Sequence, residues 1–201
     1  MKILYIRHGE SYGNLTNCFY DSPEVELTSK GRMQAAIAGQ LLKKYLDNEA
    51  EYAVYCSPWI RALHTCEIAL RESGLRSRAV IVDERLRERS FAGLVGRPIN
   101  YENANEHIDN AISWEDYIEI WTYDSPKSKE LGVETLPELK ERMESFLIDA
   151  SCNHADETIV VFSHGGFGRM LQGFCEVWPE GGCFHKLRFF ENGEVATLHF
   201  D

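Results

Sequence analysis

Positive charge is the first thing this 201-residue sequence is short of: 21 Lys and Arg stand against 32 Asp and Glu, a formal net charge of −11. With no basic stripe there is little to release phosphate counterions, which argues against a nucleic-acid surface. The same balance opposes adsorption to an anionic membrane. No apolar run approaches the roughly 20 residues that cross a bilayer. The run Met1–Ile6 is too short for a signal peptide and leads straight into charge, so none is expected. The six cysteines, at 18, 56, 66, 152, 175 and 183, form no Cys-x-x-Cys and no metal-type spacing. Free thiols in a reducing, cytoplasmic setting follow, with no metal and no cofactor expected. Internal repeats and low-complexity tracts are missing too.

What is there is globular in character: 44% apolar residues and enough length for a sizeable core. Met1–Ile6 has five apolar residues of six and reads as a strand buried on both faces. Arg7-His8-Gly9-Glu10 follows at once. Thr28 is the expected cap of a helix running to about residue 46, with Met33, Ala36, Ile37, Leu41, Leu42 and Tyr45 at helical spacing. Tyr52–Cys56 is a second strand. Ser57 and Pro58 then read as the cap and first residue of a helix that ends near Gly74. Ala79–Val82 is a third strand, Glu134–Ala150 a helix with Pro137 in its first turn, and Thr158–Phe162 the most apolar strand. After Ser163-His164-Gly165-Gly166, residues 167–174 read as a helix. Two runs, Leu187–Phe190 and Val195–Phe200, flank Asn192-Gly193 and predict a hairpin.

That order predicts an α/β fold: a three-layer sandwich whose mainly parallel central sheet has helices on both faces. We expect one domain over residues 1–201. Within it, residues 98–132 are acidic and rich in aromatics (Tyr101, Trp114, Tyr117, Trp121, Tyr123), and break the alternation. They read as a helical insertion closing over the sheet's carboxyl edge, a lid able to exclude water.

Two histidines, His8 and His164, each follow an apolar strand and precede a glycine, so parallel strands would present both at one edge. Arg7 adjoins the first. Arg61 lies one turn into the helix after Ser57-Pro58. Two guanidiniums, two imidazoles and a helix N-terminus with free backbone donors make a phosphate site, to which Asn14 can add a neutral donor. Glu88, after the third strand, is a carboxylate placed to move protons. A neutral imidazole is a competent nucleophile at phosphorus when its other nitrogen is held, and the arginines can neutralise the transferring group.

Arg7-His8-Gly9-Glu10-Ser11 with Asn14, Leu27-Thr28-x-x-Gly31, Ser57-Pro58-x-x-Arg61, Glu88 and Ser163-His164-Gly165-Gly166 resemble, in order and over essentially the whole chain, the motifs of the histidine phosphatase superfamily (the phosphoglycerate mutase-like family). The resemblance implies that His8 is the phosphorylated nucleophile and Glu88 the proton donor. It places Arg7, Asn14, Arg61, His164 and Gly165 around the phosphate, with His164 also counted among the catalytic groups.

Departures favour a hydrolase over a mutase. The stretch Glu88–Gly96 is similar to the mutases, but Arg97-Pro98-Ile99 replaces their Leu-Asn-Lys, and Trp121-Thr122-Tyr123 replaces their Trp-Arg-Arg. Those basic residues hold the phosphoglycerate carboxylate in the family. The expected partner is thus a small phosphate ester, with no nucleic acid and no membrane. The alternatives are a mutase-type phosphotransferase and a non-catalytic phospholigand-binding protein.

Overall fold

Along β1 (Lys2–Arg7) the side chains alternate between two cores, as a pleated strand requires. Ile3 and Tyr5 pack on one face with Leu136, Leu139, Met143, Phe146, Phe167 and Met170. Leu4 and Ile6 pack on the other with Ala38, Leu42, Ala62, Cys66 and Ala69. The computed structural model from which this follows describes residues 1–16, 18–46, 51–75, 79–98, 110–155 and 157–200. The expectations for Ile99, Tyr101 and the rest of residues 99–109 fall outside that set.

The remaining strands are β2 (Tyr52–Cys56), β3 (Val80–Val82), β4 (Thr158–Ser163) and β5 (Val195–His199). They form one sheet in the order β3-β2-β4-β1-β5. The first four run parallel, and β5 lies antiparallel to β1. Helices α1 (Ser29–Leu46) and α2 (Ile60–Ser73) cover one face; α5 (Leu136–Asn153) and α6 (Gly165–Cys175) cover the other. This is the expected α/β architecture. Two shorter helices, α3 (Trp114–Ile120) and α4 (Lys127–Glu130), occupy the segment after β3. Among the described residues no helix is long and apolar enough to cross a membrane.

Local chemistry accounts for most boundaries. The Thr28 hydroxyl accepts from the Gly31 N–H at 3.0 Å and starts α1. Thr135 and Glu138 form a reciprocal capping box at the head of α5, with Pro137 in its first turn. Gly74, at φ 62°, ends α2 in the left-handed conformation.

Two expectations need correction. Helix α2 begins at Ile60 with Trp59 as its cap residue, not at Pro58, so Arg61 sits in the first turn rather than one turn in. The Ser57 hydroxyl does accept from the Trp59 N–H at 3.3 Å, a local turn that delays the helix. Residues 187–190 form no strand, and there is no hairpin. β1 takes β5 as its antiparallel neighbour. The Asn192-Gly193 turn, with Gly193 at φ 76°, instead places its polar groups on the end of β1.

Candidate active site

Register brings the two histidines together. Arg7 pairs with Ser163 across β1 and β4, so the next residue of each strand, His8 and His164, leaves the sheet at the same edge and level. Their ring centroids lie 5.2 Å apart, edge to face. Both are buried, at 1% and 0% exposure.

The protonation of His8 follows from its partners. Its Nδ1 lies 2.7 Å from the Gly9 carbonyl, which can only accept, so Nδ1 carries the proton. Nε2 is left with a lone pair, and the Arg61 Nε–H donates to it at 3.2 Å. Burial holds the His8 pKa well below the ordinary histidine value, and Arg61 and Arg7 lower it further. The group is a neutral imidazole.

Arg61 is itself fixed on several sides. Its Nη1 donates to the Ser22 carbonyl at 2.9 Å. The guanidinium lies 4.5 Å from the Trp59 ring centroid and 5.1 Å from that of Tyr20. Burial lowers its pKa from the usual arginine value, which leaves it a cation. Arg7 donates from Nη1 to the Phe190 carbonyl at 2.6 Å, and its buried Nε meets no acceptor among the described residues.

Glu88 follows the 3₁₀ turn Glu84–Leu86 that leaves β3. Its carboxylate sits on the N-terminus of α6. It accepts from the Gly166 N–H at 3.2 Å, the Phe167 N–H at 3.1 Å and its neighbour Arg89 N–H at 2.9 Å. Of the donors expected at a helix start, Glu88 occupies two on α6, and the Ile60 N–H of α2 donates to the Pro23 carbonyl at 2.9 Å. Behind this turn, the Ser163 hydroxyl donates to the Leu86 carbonyl at 2.7 Å. Arg142 reaches the carbonyls of Arg87 and Glu88.

A cavity of about 440 Å³ opens at this edge. Arg7, His8, Asn14, Arg61, Glu88 and Gly165 all line it. His164 does not. Its Nε2 lies 2.8 Å from the Ser57 hydroxyl, its ring packs edge-on to Trp59, and the Tyr5 hydroxyl bonds its carbonyl. Burial, then Arg61 and His8, push its pKa well down. It stands behind His8 as a neutral ring. Asn14 is engaged on both ends: Nδ2 donates to the Tyr20 hydroxyl at 3.2 Å, and Oδ1 accepts from the Ser11 N–H and hydroxyl at 3.0 Å each.

Two contributors escape sequence reasoning. Asn192 donates from Nδ2 to the His8 carbonyl at 3.0 Å, and the Gly193 N–H donates to the Arg7 carbonyl at 3.0 Å. The only sequence signal there, Asn-Gly, points to a hairpin instead. Phe189, Phe91, Phe19 and Tyr20, with Tyr117 and Trp121 from the α3 region, form the aromatic part of the cavity wall, beside Gly13, Thr16, Cys18 and Gly166.

Comparison with known proteins agrees with this geometry. Residues 3–201 match the family model described as "Histidine phosphatase superfamily (branch 1)". A Hydrogenobacter thermophilus protein that carries the name of a phosphoserine phosphatase is 32% identical over 169 residues, covering 83% of this chain and 74% of that protein. A 2,3-bisphosphoglycerate-dependent phosphoglycerate mutase of Staphylococcus aureus is 30% identical over 162 residues, or 81% of this chain; the match spans 64% of the mutase, less than two thirds of its length. Among solved structures, an Entamoeba histolytica phosphoserine phosphatase superposes with a TM-score of 0.71 at 25% identity, over 98% of this chain and 89% of the other.

Proposed function

Because the chain belongs to the histidine phosphatase superfamily, we propose that it hydrolyses phosphate monoesters of small metabolites through a phosphohistidine on His8. The observation that carries this reading is the state of His8: a neutral imidazole with Nδ1 bonded to a carbonyl and Nε2 turned to Arg61, on the wall of a cavity shared with Arg7 and Glu88.

The phosphoryl group enters between the two arginines, and Arg61 turns its Nε–H from His8 to an equatorial oxygen. His8 Nε2 then attacks phosphorus in line. The phosphorus–oxygen bond to the alcohol breaks as the Glu88 carboxyl gives its proton to the leaving oxygen. Water next attacks the phosphohistidine, Glu88 takes a proton from it, and phosphate departs as Nε2 recovers its lone pair. Arg7 and Arg61 stabilise the charge spread over the equatorial oxygens, in a setting that burial makes poorly screened. Uncatalysed phosphomonoester hydrolysis is slow enough to need up to ~10²¹-fold acceleration, so positioning and acid catalysis must both contribute. His164, itself held by the Ser57 hydroxyl, packs its ring edge against His8. No step calls for a metal.

We assign residues 98–132 as the lid of this single domain; its described stretch 110–132 supplies Tyr117 and Trp121 to the cavity, and Pro98 is described as well.

The test is turnover of a panel of phosphate esters in EDTA, with detection of alkali-stable, acid-labile phosphohistidine after an alkaline quench. Hydrolysis that disappears in His8→Ala, with label on His8 in the wild type, is the expected result. Activity that persists unchanged in His8→Ala would end the proposal. Isomerisation of phosphoglycerate on adding the bisphosphate, with little loss to water, would make the protein a mutase instead.

A further inference from the structure

Charged and aromatic side chains share the cavity wall: Arg7, His8, Arg61 and Glu88 stand beside Phe19, Phe91, Tyr117, Trp121 and Phe189, with the Arg7 guanidinium 5.9 Å from the Phe189 centroid. No lysine or arginine beyond Arg7 and Arg61 lines it among the described residues. Two more arginines lie close by, but both are used to brace the aromatic wall. Arg89, fully buried, lies 4.6 Å from the Trp121 centroid and 5.4 Å from that of Phe91, and donates to the Glu134 carbonyl and the Ser128 hydroxyl. Arg169 lies 4.7 Å from the Trp121 centroid and 3.4 Å from that of Phe189. It is 5% exposed, and its Nε and Nη1 meet no acceptor among the described residues. Phe189 thus lies against Arg169, which does not itself line the cavity.

These contacts set the angles of the rings. Cation–π stacking of this kind holds an aromatic side chain at a set angle, and an aromatic wall already in position binds a flat apolar group at low entropic cost. Resting on the phosphatase reading, we propose that the ester's alcohol carries a planar apolar body, aryl or arylalkyl, and no second acidic group. The volume of about 440 Å³ is ample for such a group beside a phosphate and within the usual range for small-molecule pockets.

Two measurements test this. Hydrolysis compares 2-phenylethyl phosphate with O-phosphoserine and 3-phosphoglycerate, all esters of alkyl alcohols. Calorimetry compares benzylphosphonate, methylphosphonate and phosphonoacetate, which the enzyme cannot turn over. We expect kcat/KM for the phenylethyl ester to lead by roughly tenfold to a hundredfold, and benzylphosphonate to bind tighter than methylphosphonate by a similar factor, as burial of a phenyl ring implies. Phe189→Ala should move the preference toward the carboxylate-bearing esters, because it uncovers Arg169. Equal or better turnover of phosphoserine or phosphoglycerate would overturn the proposal, as would phosphonoacetate binding tighter than benzylphosphonate. Tight benzylphosphonate binding with no ester hydrolysed would support the apolar pocket while removing the phosphatase reading.

Discussion

The Arg61 Nε–H donates to Nε2 of His8 across 3.2 Å, inside a site where both side chains are almost fully buried. A cation can donate to that nitrogen only while the ring is neutral. The pair therefore keeps Nε2 unprotonated and the charge on Arg61, the state that the proposed reaction starts from.

Stability should carry the mark of this neutrality. His8 and His164 both have pKa values pushed well below the ordinary 6.5, so the unfolded chain binds more protons than the folded one once pH falls below that value. Stability is then complete above about pH 7 and declines as pH drops, by up to roughly 1.4 kcal/mol per pH unit for each ring. Thermal melts between pH 7.5 and 5.5 should show the fall, and His8→Asn should reduce its slope by about half. A flat profile would mean that the rings are not held neutral. Carboxylates held low, such as Glu138, act only at more acid pH.

Removing Arg61 should cost more than a charge. Arg61→Ala takes away a donor to the transferring group and the partner of His8 Nε2, so kcat should drop about 10²- to 10³-fold. Arg61→Lys restores the charge without the planar fork and should recover less than a tenth of the loss. Steady-state kinetics on one ester in both variants decides the point.

Acid catalysis by Glu88 predicts a dependence on the leaving group. Glu88→Gln should slow alkyl phosphates by about 10²-fold or more and 4-nitrophenyl phosphate much less, since nitrophenolate leaves without a proton. Gly166→Ala should do the same more weakly: an added Cβ would stand 2.6 Å from Glu88 Oε1 and 3.2 Å from the Arg89 Cβ. Equal slowing of both esters would rule out Glu88 as the acid.

Asn192 offers a subtler test. Asn192→Ala removes the donor to the His8 carbonyl, and kcat should fall by about tenfold with KM little changed, because the misplacement is felt at the nucleophile. Urea denaturation should show a loss of about 1 kcal/mol, the worth of one hydrogen bond. A loss of stability with kcat intact would make the residue structural only.

The sheet and its two helical layers were readable because short apolar runs and a capping residue such as Thr28 act locally. The meeting of residues 8 and 164 was readable as well, since parallel strands leave a sheet at one edge. What could not be read depends on contacts distant in sequence. Asn192-Gly193 has hairpin chemistry, yet β1 takes β5 as its antiparallel partner and the turn caps the end of β1. The carboxylate of Glu88 claims N–H groups of α6, 78 and 79 residues away, which no spacing rule announces. His164 sits one layer behind the cavity because Ser57, Trp59 and Tyr5 hold it there, and its motif alone does not distinguish a supporting ring from a contacting one.

The groups that steady His8 and Arg7 lie far along the sequence from them: Phe190 receives Arg7, and Asn192 and Gly193 close on the carbonyls of His8 and Arg7. The segment 190–193 therefore works as a clasp. A change that loosens it frees the backbone at His8 while β1 keeps its place between β4 and β5.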